Sequence, residues 1–421
     1  MKNTDDKRPR GAEPVKNIEV SESHIKPRAI LAGIFLLIGI AAIGWCVMAL
    51  LETDPGWQTV EVSLSEPSSA DEFTLNYLFG SSGRNATSEN KALTALYTGA
   101  CIKAYKLFDA ERMHGGVNNV YYINSHVNEE IEVDPILYEA FEKIEAYGSR
   151  YLYLAPIYDE YDAAFFGIEM PESVGDMDPY VDSEFSAELK ALAEYANAPE
   201  HVSLRLLGDN KVMLYVSDAY LEFAGEYGVE SYIDFYRMRN AFIIDYFAGQ
   251  LIENGFTHAT LTSYDGYTRN LDKTGSEYAF NIFDRVGNDI YIAAELNYTS
   301  PSSMVTMRNF PLSERDSYRY FISADRTITP YIDHADGLYR NAASSMVAYS
   351  SELGCADILL RSMPVYISNE VDTDAVEALA NDGIEFIWCE DAVIYHTDEA
   401  ARFGYVYSDN EVTYGTQRTG E

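Results

Sequence analysis

Residues Ala29 to Leu51 form 23 consecutive positions without a charge, and this run most constrains what the 421-residue chain can fold into. A helix rises ~1.5 Å per residue, so the run spans ~34 Å, enough to cross a hydrocarbon core of ~30 Å. Helices of globular domains rarely stay apolar on every face for so long. The run therefore reads as a transmembrane helix embedded in the lipid bilayer. Seven basic residues precede it (Lys2, Lys7, Arg8, Arg10, Lys16, Lys26 and Arg28), and Glu52 and Asp54 follow. Basic flanks stay cytoplasmic, which places the C-terminal bulk on the outer side of the cell membrane. A cleaved signal peptide would have a shorter apolar run of ~7–15 residues and a small-residue cleavage site. Here the run closes on Gly44-Trp45-Cys46-Val47, and an uncleaved anchor is expected.

Charge narrows the function classes. Seven of the 30 basic and five of the 67 acidic residues lie in the first 28, leaving 23 basic against 62 acidic, a formal charge of −39. Such a surface repels phosphate backbones, so nucleic acid is excluded as a partner. Disorder does not follow, because 34 Tyr and 19 Phe supply a core. Outside the span the cysteines are Cys101, Cys355 and Cys389, an odd number without metal-type spacing, so no disulfide scaffold is indicated.

Along the chain, 52–91 is Ser-, Glu- and Gly-rich and reads as a stalk. Leu93, Leu96, Tyr97, Ala100, Ala104, Leu107 and Phe108 then make one helical stripe. Asp134-Pro135 opens a second helix that Gly148 stops. Further helices are expected over Ser183 to Tyr195, Arg239 to Glu253, Ala356 to Met363 and Asp374 to Ala380. Strands flank Gly208-Asp209-Asn210 as a hairpin and recur at Ala259 to Thr262, Tyr278 to Phe283, Asp289 to Leu296, Ser344 to Tyr349, Ile384 to Trp388 and Val393 to His396. The organisation is a cytoplasmic tail (1–28), a span (29–51), a stalk (52–91), a mixed α/β domain (92–403) and a C-terminal tail (404–421). The seven histidines are scattered, and there is no nucleophile elbow, P-loop or dinucleotide fingerprint.

From about Ala92 to Phe403 the order of elements, with several local residues, resembles the FAD:protein FMN transferases, the ApbE family. Lys106-Leu107-Phe108 resembles the end of the family's first helix, and Tyr147 to Gly167 sits where the family enters its substrate cleft. The family segment Asp-Leu-Gly-Gly-Ile-Ala-Lys-Gly-Tyr-Ala-Val-Asp lies on Asp234 to Asp245 without a gap. Both end aspartates match; Tyr236, Arg237 and Ala241 stand at the glycines and Asn240 at the lysine. Ser263-Tyr264-Asp265-Gly266 resembles the family's Gly-Gly-Asp. Tyr331-Ile332-Asp333 with Gly337 resembles its His-Ile-Ile-Asp-Pro-Arg-Thr-Gly run. Ala356-Asp357 matches the start of Ala-Asp-Ala-Leu-Ala-Thr, with Arg361 on the threonine.

The resemblance implies an α/β (mixed α+β) ApbE-like fold and Mg²⁺-dependent transfer of FMN from FAD to a Thr or Ser of an acceptor protein. It implies Asp265 and Asp333 as catalytic groups and Asp357 as the metal ligand. Asp234, Asn240, Asp245, Ser263, Tyr264, Gly266, Gly337 and Arg361 would contact the flavin nucleotide. Asp234, Asp265, Asp333 and Asp357 are expected to converge on one cleft, with Arg361 pairing Asp357 one helical turn away. The altered glycines, lysine and threonine support a second reading, a catalytically inactive flavin-binding or protein-interaction scaffold. A third is an extracellular binding module that uses its many Tyr side chains as contacts.

Overall fold

The computed structural model describes residues 25–51, 53–62, 66–83, 85–166, 177–299, 301–322 and 326–420. The basic tail up to position 24 lies outside the described residues. The chain divides into two units, 1–53 and 54–421. The first holds helix α1 (Ile25–Leu51). Its described side chains between Ala29 and Trp45 are exposed on every face, with only Gly39 partly covered. Among the described residues, no helix is long and apolar enough to cross a membrane.

The second unit is mixed α/β. It begins with β1 (Gly56–Thr59), β2 (Phe73–Phe79), α2 (Ala86–Phe108), α3 (Val120–Ser125), β3 (Ile131–Glu132), α4 (Pro135–Ala146), α5 (Ala155–Ala164) and α6 (Ser183–Asn197). The middle comprises β4 (Val202–Gly208), β5 (Lys211–Val216), α7 (Asp218–Tyr227), α8 (Arg239–Glu253), β6 (Ala259–Ser263), β7 (Tyr267–Asn270), β8 (Tyr278–Val286), β9 (Asp289–Tyr298) and β10 (Ser302–Arg308). The rest is β11 (Phe321–Ile322), β12 (Thr327–Ile328), β13 (Ser345–Ser350), α9 (Cys355–Tyr366), α10 (Thr373–Asn381), β14 (Glu385–Glu390), β15 (Val393–His396), β16 (Arg402–Val406) and β17 (Gly415–Arg418).

A nine-stranded sheet, ordered β1-β2-β6-β7-β10-β13-β14-β15-β17, is the backbone of this unit. Successive side chains of a strand point to opposite faces. Val305, Met346, Ala348 and Phe386 join the cluster that includes Leu93 of α2, Ile244 and Phe247 of α8, and Ile358 of α9. Their neighbours Met304, Val347, Ile387 and Cys389 join Ile282, Ala294 and Leu296 of a three-stranded sheet, β16-β9-β8. Helices thus cover one face and a small sheet the other, which explains why β13 and β14 carry unbroken apolar runs, Met346 to Tyr349 and Phe386 to Cys389. A third sheet, β3-β5-β4, contains the expected hairpin. Asp209 and Asn210 both take left-handed backbone, φ +49° and +58°, as a tight two-residue hairpin turn requires.

Two boundaries need correction. The stretch 52–91 is not a stalk: β2 pairs with β6, Leu75 opposite Leu261, and its Phe73, Leu75, Tyr77 and Phe79 are buried. Helix α2 also begins within it, capped by Asn85, whose Oδ1 accepts from Thr87 and Ser88 N–H. Nor is 404–421 a loose tail, because β17 pairs in parallel with β15 at the end of the large sheet.

Candidate functional site

The turn into α8 carries the first group of expected site residues. Asp234 Oδ1 accepts from Tyr236 N–H at 2.8 Å, which closes an Asx turn. Tyr236 then has φ +45°, a left-handed conformation that favours glycine. Its ring stacks on Tyr158 at 4.0 Å, and its hydroxyl donates to Asp162 at 2.7 Å. The turn thus has a glycine-like backbone at a tyrosine, whose phenol fills the space beside Tyr158 and Asp162. Arg237 lies against that ring, 4.5 Å from its centroid.

At the first residue of the helix, Arg239 donates to both oxygens of Glu72, at 2.8 and 2.7 Å. The Asn240 amide bridges Glu72 and Asp265, 2.9 Å to each. Asp265 also accepts from Arg319 at 3.0 Å, and both side chains are under a tenth exposed. Burial opposes ionisation of Asp265, yet the Arg319 guanidinium and hydrogen bonds from Ser263, Arg319 and Asn240 outweigh it and hold the carboxyl below its ordinary value. Arg319 also donates to the Tyr264 hydroxyl at 2.5 Å and the Tyr318 hydroxyl at 3.2 Å. Gly266, φ +115°, lets the β6–β7 turn approach β10: a Cβ there would lie 2.5 Å from the Thr306 carbonyl oxygen.

The expected convergence is only partial. Asn240, Ser263, Tyr264, Asp265 and Gly266 come together, while Asp234 holds the turn before α8. Asp333 instead belongs to a turn in which its carbonyl accepts from Gly337 N–H, and its carboxylate pairs with Arg340 at 2.5 Å. Gly337 has φ +73°, and a Cβ there would meet the Leu189 carbonyl oxygen at 2.8 Å. Asp245 caps α9, accepting from Cys355 and Ala356 N–H at 2.9 Å each, and faces Arg269 at 3.2 Å.

Asp357 does not pair with Arg361. It accepts from Lys143 of α4 at 2.5 Å and from the Tyr147 hydroxyl at 3.1 Å, while Arg361 reaches Asp382 at 2.6 Å. The reason is tertiary: α4 presents an ammonium to one side of α9, and the turn after α10 presents a carboxylate to the other. Sequence reading missed Glu72, Arg319, Lys143 and Asp162. Glu72 was hidden in the supposed stalk, and the others are joined to the site by contacts distant in sequence.

The donor set does not suit the groups the resemblance implies. Both Asp357 oxygens and both Asp245 oxygens already have partners, and Arg361 offers no ligand atom. Among the described residues, no group of three or more His, Cys, Asp or Glu is placed to hold a metal ion. Beside Asp265 the space bounded by Arg237, Arg308, Arg319 and Tyr331 is about 10 Å³. That volume suits about one water, whereas small-molecule sites occupy ~300–1,000 Å³.

No family model and no curated protein matches the sequence. Solved structures do match. The ApbE protein of Thermotoga maritima is similar at TM-score 0.53 and 14% identity, over 79% of this chain and 94% of that one. The flavin transferase ApbE from Vibrio cholerae matches at TM-score 0.50 and 12% identity, over 84% of this chain and 98% of that one. The flavinyl transferase ApbE of Pseudomonas stutzeri, in its apo form, matches at TM-score 0.50 and 13% identity, over 82% and 94%. The chain has the ApbE-like fold.

Proposed function

We propose that this chain is a membrane-anchored, extracytoplasmic protein of flavin transferase type whose ancestral cleft is closed by its own side chains, leaving a non-catalytic scaffold. One observation carries this reading: Arg319 is held between Asp265, Tyr264 and Tyr318, with about 10 Å³ left beside it. Admitting a flavin means separating a buried ion pair, which costs several kcal/mol unless the ligand replaces each contact. The family reaction needs a cation where charge develops on phosphate. Here the cation beside Asp357 is Lys143, bound to the chain.

The anchor rests on the charge-free run 29–51, its basic leading flank and the exposed apolar side chains of α1. The N-terminus is then cytoplasmic and the unit 54–421 outside.

A specific observation favours a second reading, a working transferase with FAD as substrate and a flavinylated acceptor protein as partner. The turn at Tyr236 and the close approach at Gly266 keep conformations suited to a cleft. That reading requires the segment carrying Tyr318 and Arg319 to withdraw. FAD titration of the full chain in detergent micelles separates the two. No uptake by the unmodified protein, with or without Mg²⁺, is expected; saturable, Mg²⁺-dependent uptake would favour the transferase.

A further inference from the structure

The three-stranded sheet buries one face against the large sheet, and its other face is open. There a groove of about 730 Å³ crosses β8, β9 and β16. Ile290, Ile292 and Tyr405 in its lining are 43%, 40% and 47% exposed. Scattered apolar side chains on a surface need no explanation; here three line one groove together with acidic side chains. The aromatic edge is pre-ordered, because Tyr407 packs 5.2 Å from Tyr291 and donates to Asp409 at 2.8 Å. Rigid aromatic side chains make contacts at low entropic cost.

Charge selects the occupant. Asp289, Glu295 and Glu411 line the groove, and no Lys or Arg does among the described residues. A second copy is disfavoured, because each chain carries a formal charge of −37 and like-charged faces repel. Anionic lipid headgroups are repelled for the same reason. We propose that this groove is a docking surface for a basic, extended polypeptide segment of another protein, with apolar side chains on Ile290, Ile292 and Tyr405 and ammonium or guanidinium groups on the acidic rim. This surface is independent of whether the cleft at Asp265 accepts a flavin, and its test contains none.

The probe is a labelled alternating lysine–valine peptide of about ten residues, roughly one long strand, titrated against the full chain in zwitterionic nanodiscs. Saturable binding is expected, weakened about tenfold or more by Glu295→Lys with Glu411→Lys and also by Tyr405→Ser. Glu222→Lys with Glu226→Lys, on α7, serves as a charge-matched control and should leave binding unchanged. No binding, or equal loss in the control pair, would overturn the proposal; the latter would mean attraction to general acidity. Self-association of the unmodified chain that Tyr405→Lys abolishes would assign the groove to a second copy instead.

Discussion

Burial, with the Asp162 and Glu111 carboxylates, pushes Asp234 up to about 6 against the opposing Tyr236 N–H and Arg239, from an ordinary value of 3.8. Between these values the folded state binds more protons than the unfolded, so stability falls as pH rises through the window. The stabilising contribution is complete below about 4 and lost above about 6. Asp234→Asn keeps an acceptor for Tyr236 and should remove that decline, gaining on the order of 1–2 kcal/mol near pH 7. Urea denaturation of both proteins at a series of pH values measures it; parallel curves would contradict the assignment. Asp357 makes a different case, since its partner Lys143 is one-third exposed. A double-mutant cycle of Lys143→Met and Asp357→Asn should give a coupling of about 1 kcal/mol, and zero coupling would remove Lys143 as the cation of this acid. Asp234, Asp265 and Asp357 were legible because each sits in a local motif. Their partners Arg319 and Lys143 were not, because no local pattern says which cation a fold brings to an acid.

Gly354 shows how one element constrains another. It precedes α9, and a Cβ there would stand 2.4 Å from Asp245 Oδ2. That carboxylate cannot swing away without releasing the Cys355 and Ala356 N–H groups and Arg269. Gly354→Ala should therefore cost about 2–3 kcal/mol although its backbone angles suit any residue. Thermal unfolding should show a clear fall in Tm, and adding Asp245→Ala should cost less than the two single changes together. An unchanged Tm would mean that the cap is looser than drawn. Element boundaries were readable where stop residues were sharp: α8 ends at Asn254-Gly255, and α4 starts at Asp134-Pro135. Strand β2 was missed although Phe73, Leu75, Tyr77 and Phe79 alternate with Thr74, Asn76 and Leu78 at a strand's period. The polar composition around it masked a seven-residue pattern. Left-handed Tyr236 was also illegible, since its backbone is imposed by the Asp234 turn and the stack on Tyr158.

At the scale of the whole molecule, the layered fold is that of ApbE proteins, while the space beside Asp265 is occupied by the chain itself. The anchor reading has its own consequence: protease added to intact cells should remove the region after Leu51 and leave the tail before Arg28. Survival of the large unit would reverse the orientation, and a soluble form starting near residue 46 would show cleavage. The central claim, that the cleft is closed to the family's chemistry, is tested most directly by a transfer assay. The full chain is incubated with FAD, Mg²⁺ and a peptide carrying the family-type acceptor threonine, and the peptide's mass is measured. The expected result is an unmodified peptide at every FAD concentration. A peptide that gains the mass of an FMN group, and fails to gain it when a chelator is present, would contradict the claim and make the chain a working transferase.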